Sequence, residues 1–166
     1  MITRPEIMEG LRRHIQPIGG QEHLKIIEVE PGHVRLSLEL TSEALNLYGS
    51  AHGGFLFSLC DIAAGMAVYA YETANVTQSA DIHFVKGVRS GTVYVEATAV
   101  HKGKKTVVSQ VNITDEHGDL ITTGTFTMLL GPRCSAAPQT VDKVPAKAGL
   151  FYIYNRFSGI MGLSER

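Results

Sequence analysis

The sequence predicts an α+β domain in which a curved antiparallel sheet wraps one long helix. Three observations carry that prediction. An almost unbroken apolar run, "GGFLFSLCDIAAGMAVYAY" from Gly53 to Tyr71, sits early in the chain. One run with period-two alternation precedes it. Four runs rich in Val, Thr, Ile and Phe follow it, separated by short turns containing Gly. Strands of this kind bury their apolar faces against the one helix available.

The elements are read in chain order. With 166 residues, 44% of them hydrophobic and 19% charged, the chain has the length of one compact domain and little left for a second. Its start, "MITRPEIMEGLRRHIQP", puts Ile7, Met8, Leu11 and Ile15 on one helical face, so residues 1–20 read as an amphipathic helical segment. That segment carries Glu6 and Glu9 and lacks the apolar core of about 7 to 15 residues that a secretory signal needs. The main domain spans 21–131. In "HVRLSLEL", Val34, Leu36, Leu38 and Leu40 share one face and Arg35, Ser37 and Glu39 the other, the pattern of a half-buried strand. After the helix, "QSADIHFVKG", "GTVYVEATAVHKG", "KKTVVSQVNITDEHG" and "DLITTGTFTMLLG" read as a meander of antiparallel hairpins. Residues 132–166 are a Pro/Ala-rich polar linker followed by an apolar element with Ile153, Phe157, Ile160 and Met161 at helical spacing. That element docks on the domain or a partner subunit, covers an active site, or binds another protein; the sequence leaves the three open.

Several function classes are argued against. A formal net charge of -1 gives no electrostatic reason to expect nucleic acid or an anionic membrane as the main partner. Two cysteines, Cys60 and Cys134, make neither a disulfide framework nor a metal spacing, so a reducing cytoplasm is expected. The apolar run is no membrane span: Asp61 sits near its centre, Gly53, Gly54 and Gly65 interrupt it, and its flanks lack Lys/Arg bias. An apolar helix of this kind is expected to be buried all round. No pair among the seven histidines has metal-ligand spacing with Cys or carboxylates, which argues against a zinc hydrolase, and there is no G-x-S-x-G elbow.

The helix itself holds the candidate chemistry. "HGG" at its start leaves free backbone N–H groups at the positive end of the dipole, and Gly53 and Gly54 let a ligand approach the backbone. Such a terminus suits the negative oxygen of a tetrahedral intermediate in acyl transfer. Asp61 is a carboxylate expected to be buried in the apolar run, an environment that tunes an acid toward the working range of a general base; it could equally accept structural hydrogen bonds from strand groups. Gly53 and Asp61 are eight residues apart, which on one helix is about 12 Å along the axis. Both cannot touch one carbonyl. If they act together, the donor of one chain faces the carboxylate of another across a two-fold axis, and the working unit is at least a dimer with two equivalent sites.

Three stretches together resemble the hotdog-fold acyl-CoA thioesterases, in the branch typified by the phenylacetate-degradation (PaaI-like) thioesterase. They are "N-x-x-G-x-x-H-G-G" from Asn46 to Gly54, "L-x-D-x-A" from Leu59 to Ala63, and "S-A-D-I-H-F" from Ser79. The match spans roughly Val34 to Leu130. The resemblance implies a hotdog fold, hydrolysis of a thioester to free acid and CoA, and a homodimer commonly doubled to a tetramer. It implies Asp61 as base or nucleophile and the Gly53 N–H as the donor that polarises the carbonyl. Asn46 and His52 shape the pocket beside it, and Ser79 holds the water or leaving group opposite Asp61. Taken singly, Asn46 fits a loop turn, His52 a helix-start histidine satisfied by backbone, and Ser79 an ordinary strand hydroxyl.

No cofactor is expected beyond the coenzyme A of the substrate. For its phosphates the basic turn His101 to Lys105, with Lys102, Gly103, Lys104 and Lys105, is the candidate, helped by Lys86 and Arg89; such a turn is also commonly just solvated. Phe55, Leu56, Leu59, Tyr69 and Phe84 are candidate acyl-pocket lining. Water activated by Asp61 and direct attack by Asp61 to an anhydride both remain open. A hotdog-fold hydratase of enoyl or hydroxyacyl thioesters and a non-catalytic acyl-CoA-binding module are the alternatives.

Overall fold

The computed structural model describes residues 18–133. The expected N-terminal helix lies outside them except for its last three residues, and the C-terminal linker and apolar element lie outside them from residue 134 on. Within them, six strands form one antiparallel sheet around one α-helix, the hotdog architecture. The strands are β1 (Lys25–Glu30), β2 (His33–Glu39), β3 (Thr73–Phe84), β4 (Thr92–Lys102), β5 (Thr106–Asp115) and β6 (Leu120–Arg133). The helix α1 runs Gly53–Tyr69. No helix among the described residues is long and apolar enough to cross a membrane.

The strand order, β1-β2-β4-β5-β6-β3, corrects the expected meander. Among the strands after the helix, only β4, β5 and β6 follow one another as hairpins. β3 crosses to the far edge and pairs with β6, while β4 pairs with β2. The connections explain it: β4 to β5 is three residues and β5 to β6 four, but β3 to β4 is seven, longer than a hairpin loop usually is. Gly124 lets β6 close on β3, since a Cβ there would stand 2.8 Å from the Asp81 carbonyl oxygen. β1 has no counterpart among the strands expected from the sequence. It is exposed along its whole length, with no alternation to reveal it, and Pro31-Gly32 turns it into β2 with Gly32 at φ +86°.

The core lies between the concave face of the sheet and one side of α1. Val34, Leu36 and Leu38 of β2 are buried as their alternation predicts, and Val93, Val95, Ala97, Val107, Val111, Ile113 and Phe126 continue the layer. Phe55, Leu59, Ala63 and Ala67 meet them from the helix, the alanines allowing close approach. The expectation of a helix buried all round is not met. Gly54 and Phe57 are exposed, and Ser58, Asp61, Ile62, Gly65 and Met66 are half-buried along one stripe. A six-stranded sheet curls round only one side of a helix, and among the described residues the other side is left largely uncovered.

Candidate active site

His52 sets the start of α1. Its extended backbone makes it the N-cap, and its Nδ1 accepts the Gly54 N–H at 2.9 Å, so that nitrogen carries no proton. The first helical backbone bond is Leu56 N–H to His52 O at 3.0 Å. Gly53, the first helical residue, keeps its N–H without an acceptor among the described residues. A groove of about 310 Å³ opens there, lined by Ser50, Ala51, Gly53 and Leu56 and, from the β3–β4 connection, by Phe84, Val85, Lys86 and Gly87. The Phe84 ring lies 3.4 Å from where a side chain on Gly53 would begin. Gly53 and Phe84 thus share one wall, as does Leu56. Phe55 does not: it is 1% exposed and points into the core. Leu59 is likewise a core residue.

Asn46 is a loop former in this structure. Its Oδ1 accepts the Tyr48 N–H at 2.9 Å and the Ser50 N–H at 3.2 Å, closing the turn that leads into the groove. It reaches the site through Ser50 and Ala51 rather than by direct contact with Asp61.

Asp61 sits on the uncovered stripe of α1, half-buried rather than sealed in the core as the sequence reading expected. Thr77 Oγ1 of β3 donates to its Oδ1 at 2.5 Å, and its Oδ2 has no hydrogen-bond partner among the described residues. The hydroxyl on the carboxylate is therefore that of Thr77, a residue not among those expected; Ser79, expected to hold the water or leaving group opposite Asp61, lies two residues on in the same exposed stretch of β3. A bulge between Thr77 and Ser79 shifts the register here. Strict period two puts Thr77 and Ser79 on one face of the strand, and the bulge parts them. The neighbouring Cys60 thiol is buried, and burial, then the charge of Asp61, pushes it up from 9.0 to about 12. It stays protonated and inert at neutral pH.

The basic candidates divide between the two ends of the helix. Lys86 lines the groove, but its ammonium is taken by Asp115 at 3.0 Å and Asp119 at 2.5 Å. Those bonds, Asp119 first, raise its pKa, and the Lys86 bond is the main cause holding Asp115 low. It is a clamp between two loops, not a free cation. Arg89 is exposed on the same connection. In the β4–β5 turn, His101, Lys102, Lys104 and Lys105 are exposed around Gly103, and Lys102 Nζ lies 4.9 Å from the centre of the Tyr71 ring, just past the C-terminal end of α1. The 17 residues of α1 put that turn about 25 Å from the Gly53 N–H of the same chain. No cluster of His, Cys, Asp and Glu among the described residues could hold a metal.

Comparison with known proteins agrees with this architecture. The model of the thioesterase superfamily matches residues 48–122, which include the helix start, Asp61 and Thr77. The acyl-coenzyme A thioesterase PaaI of Escherichia coli is 32% identical over 94 residues, 56% of this chain and 67% of that protein. The 1,4-dihydroxy-2-naphthoyl-CoA hydrolase of Listeria monocytogenes is 31% identical over 101 residues, 59% of this chain and 82% of that one. Among solved structures, a hypothetical thioesterase protein with coenzyme A from Streptococcus pneumoniae superposes with a TM-score of 0.71 at 32% identity, covering 72% of this chain and 98% of its own. Its alanine variants at an aspartate and at a threonine have also been solved, two positions separated by 16 residues, the spacing of Asp61 and Thr77 here. With the fold, the helix start and the matched segment in agreement, this chain belongs to the thioesterase superfamily and is a hotdog-fold protein of the PaaI-like acyl-CoA thioesterase branch.

Proposed function

We propose that the chain is an acyl-CoA thioesterase whose site forms between two copies of it. The observation that carries this reading is the pairing of two uncommitted groups on one helix that cannot meet within one chain. The Gly53 N–H and Asp61 Oδ2 lack partners among the described residues. Eight helical residues hold them about 12 Å apart along the axis. Both lie on the side of α1 that its own sheet leaves open. A second copy packed antiparallel on that side brings the donor of one chain to the carboxylate of the other, twice, by symmetry.

In the resulting site the Gly53 N–H stabilises the oxyanion as the thioester carbonyl becomes tetrahedral, and Asp61 supplies the nucleophile. Asp61 either takes the proton of the attacking water, or attacks through its own oxygen to give an anhydride that water then opens; the CoA thiolate leaves in both cases. Thr77 fixes which carboxylate oxygen stays free. The same antiparallel arrangement carries the basic turn at Lys102 to Lys105 toward the helix start of the other copy, where the CoA phosphates then meet it. Edge strand β3, exposed along Gln78–Asp81, is available to pair with its counterpart and extend the sheet across the dimer. A PaaI relative that is an acyl-CoA thioesterase and a relative solved with coenzyme A support the ligand class.

Thiol release from aryl-, hydroxyaryl- and straight-chain acyl-CoAs tests this reading. Wild type turns over at least one member, and folded Asp61→Ala loses about a hundredfold or more in rate, the range for a lost general base. Binding of acyl-CoA without thiol release from any member would instead identify a binding module.

A further inference from the structure

A short segment outside the chemistry just described lies against the same face of α1. Residues 18–21 form a strap over the first two turns of the helix. Ile18 Cδ1 lies 3.8 Å from where a side chain on Gly54 would begin, and Gln21 Nε2 donates to Ser58 Oγ at 2.5 Å. Gly20 makes the strap possible: its φ is +98°, and a Cβ there would stand 3.0 Å from Thr41 Oγ1. The Gly19 N–H donates to the Glu43 carbonyl at 3.3 Å. Gly54, Ser58 and Asp61 follow at steps of four and three residues, so they share one helical face.

The direction of the hydrogen bonds orients the Gln21 amide. Ser58 Oγ donates its proton to the Phe55 carbonyl at 2.8 Å, so toward Gln21 it only accepts, and the NH₂ end of the amide must face it. Gln21 Oε1 is then left without a partner among the described residues, on a half-buried side chain. An amide oxygen without a protein partner takes its hydrogen bond from water, and a ligand donor placed there takes the water's place.

We infer that Gln21 is a specificity-determining residue, whose amide oxygen accepts a hydrogen bond from acyl groups carrying an O–H or N–H. The inference rests on the two-chain site proposed above. A register that sets Gly53 of one chain opposite Asp61 of the other also sets Ser58 opposite the partner's Leu56. Leu56 lines the groove beside Gly53. Gln21, held on Ser58, then closes that groove from the other subunit and gives an apolar cavity one polar contact on its acyl side.

The test is kcat and KM for two matched pairs, hexanoyl-CoA with 6-hydroxyhexanoyl-CoA and phenylacetyl-CoA with 4-hydroxyphenylacetyl-CoA. Wild type, Gln21→Met and Gln21→Leu are compared, with Asp61→Ala alongside. In at least one pair the ratio of kcat/KM, hydroxylated over unsubstituted, falls about fivefold in both Gln21 variants, carried by KM, as for one lost hydrogen bond. An unchanged ratio in both pairs, or an equal loss on all four substrates, overturns the inference, the latter making the strap purely structural. If Asp61→Ala retains turnover, the site reading fails and the Gln21 inference falls with it. If Asp61→Ala is silent and the ratios do not move, only the Gln21 inference fails.

Discussion

At the scale of single residues, the position of Gly53 separates two roles that glycine commonly combines. It is the first residue of α1, after an N-cap whose ψ of 133° is extended, and proline fits that position while removing only the N–H. The Phe84 ring, 3.4 Å from the Cβ site, is an exposed side chain that can give way. Gly53→Pro is therefore expected to keep its fold by circular dichroism and thermal melting while losing about 100- to 1000-fold in kcat, as for one oxyanion donor. Unchanged kcat in a folded variant would remove the donor role. The sequence showed Gly53 and Asp61 because a glycine pair at a helix start and a lone acid in an apolar run are local signals. Thr77 and Gln21 were not visible in that way. Thr77 reaches Asp61 from the next element, 16 residues on, and Gln21 reaches Ser58 from 37 residues away.

At the scale of elements, hydrophobic period fixed the helix and most strands, while their order depended on connection lengths that periodicity does not report. The same limit produced the misreading of the helix environment: an apolar helix implies burial, but not whether its own chain or a second one provides it. Phe126 of β6 joins the two layers, being fully buried and in ring contact with Phe57 at 5.6 Å between centroids. Phe126→Ala should cost about 3 to 5 kcal/mol, as large-to-small core changes do. Urea denaturation measures it, and a loss below about 1 kcal/mol, within the range of surface substitutions, would contradict the assignment of this contact to the core.

At the scale of the whole molecule, the proposed site depends on two chains. Within one chain the groove beside Gly53, the carboxylate of Asp61 and the basic turn near Tyr71 lie at successive levels along one helix, and no single acyl-CoA carbonyl engages the first two together. In the proposed antiparallel pairing that separation becomes two complete sites. Mixing two inactive variants tests this directly. Asp61→Ala and Gly53→Pro chains, co-refolded in equal amounts, give heterodimers in which one site contains both intact groups and the other neither. Random association makes about half the dimers mixed, so thiol release should recover to about a quarter of the wild-type rate. No recovery above the two separate variants, with mixed dimers demonstrated by mass spectrometry, would contradict a site shared between chains.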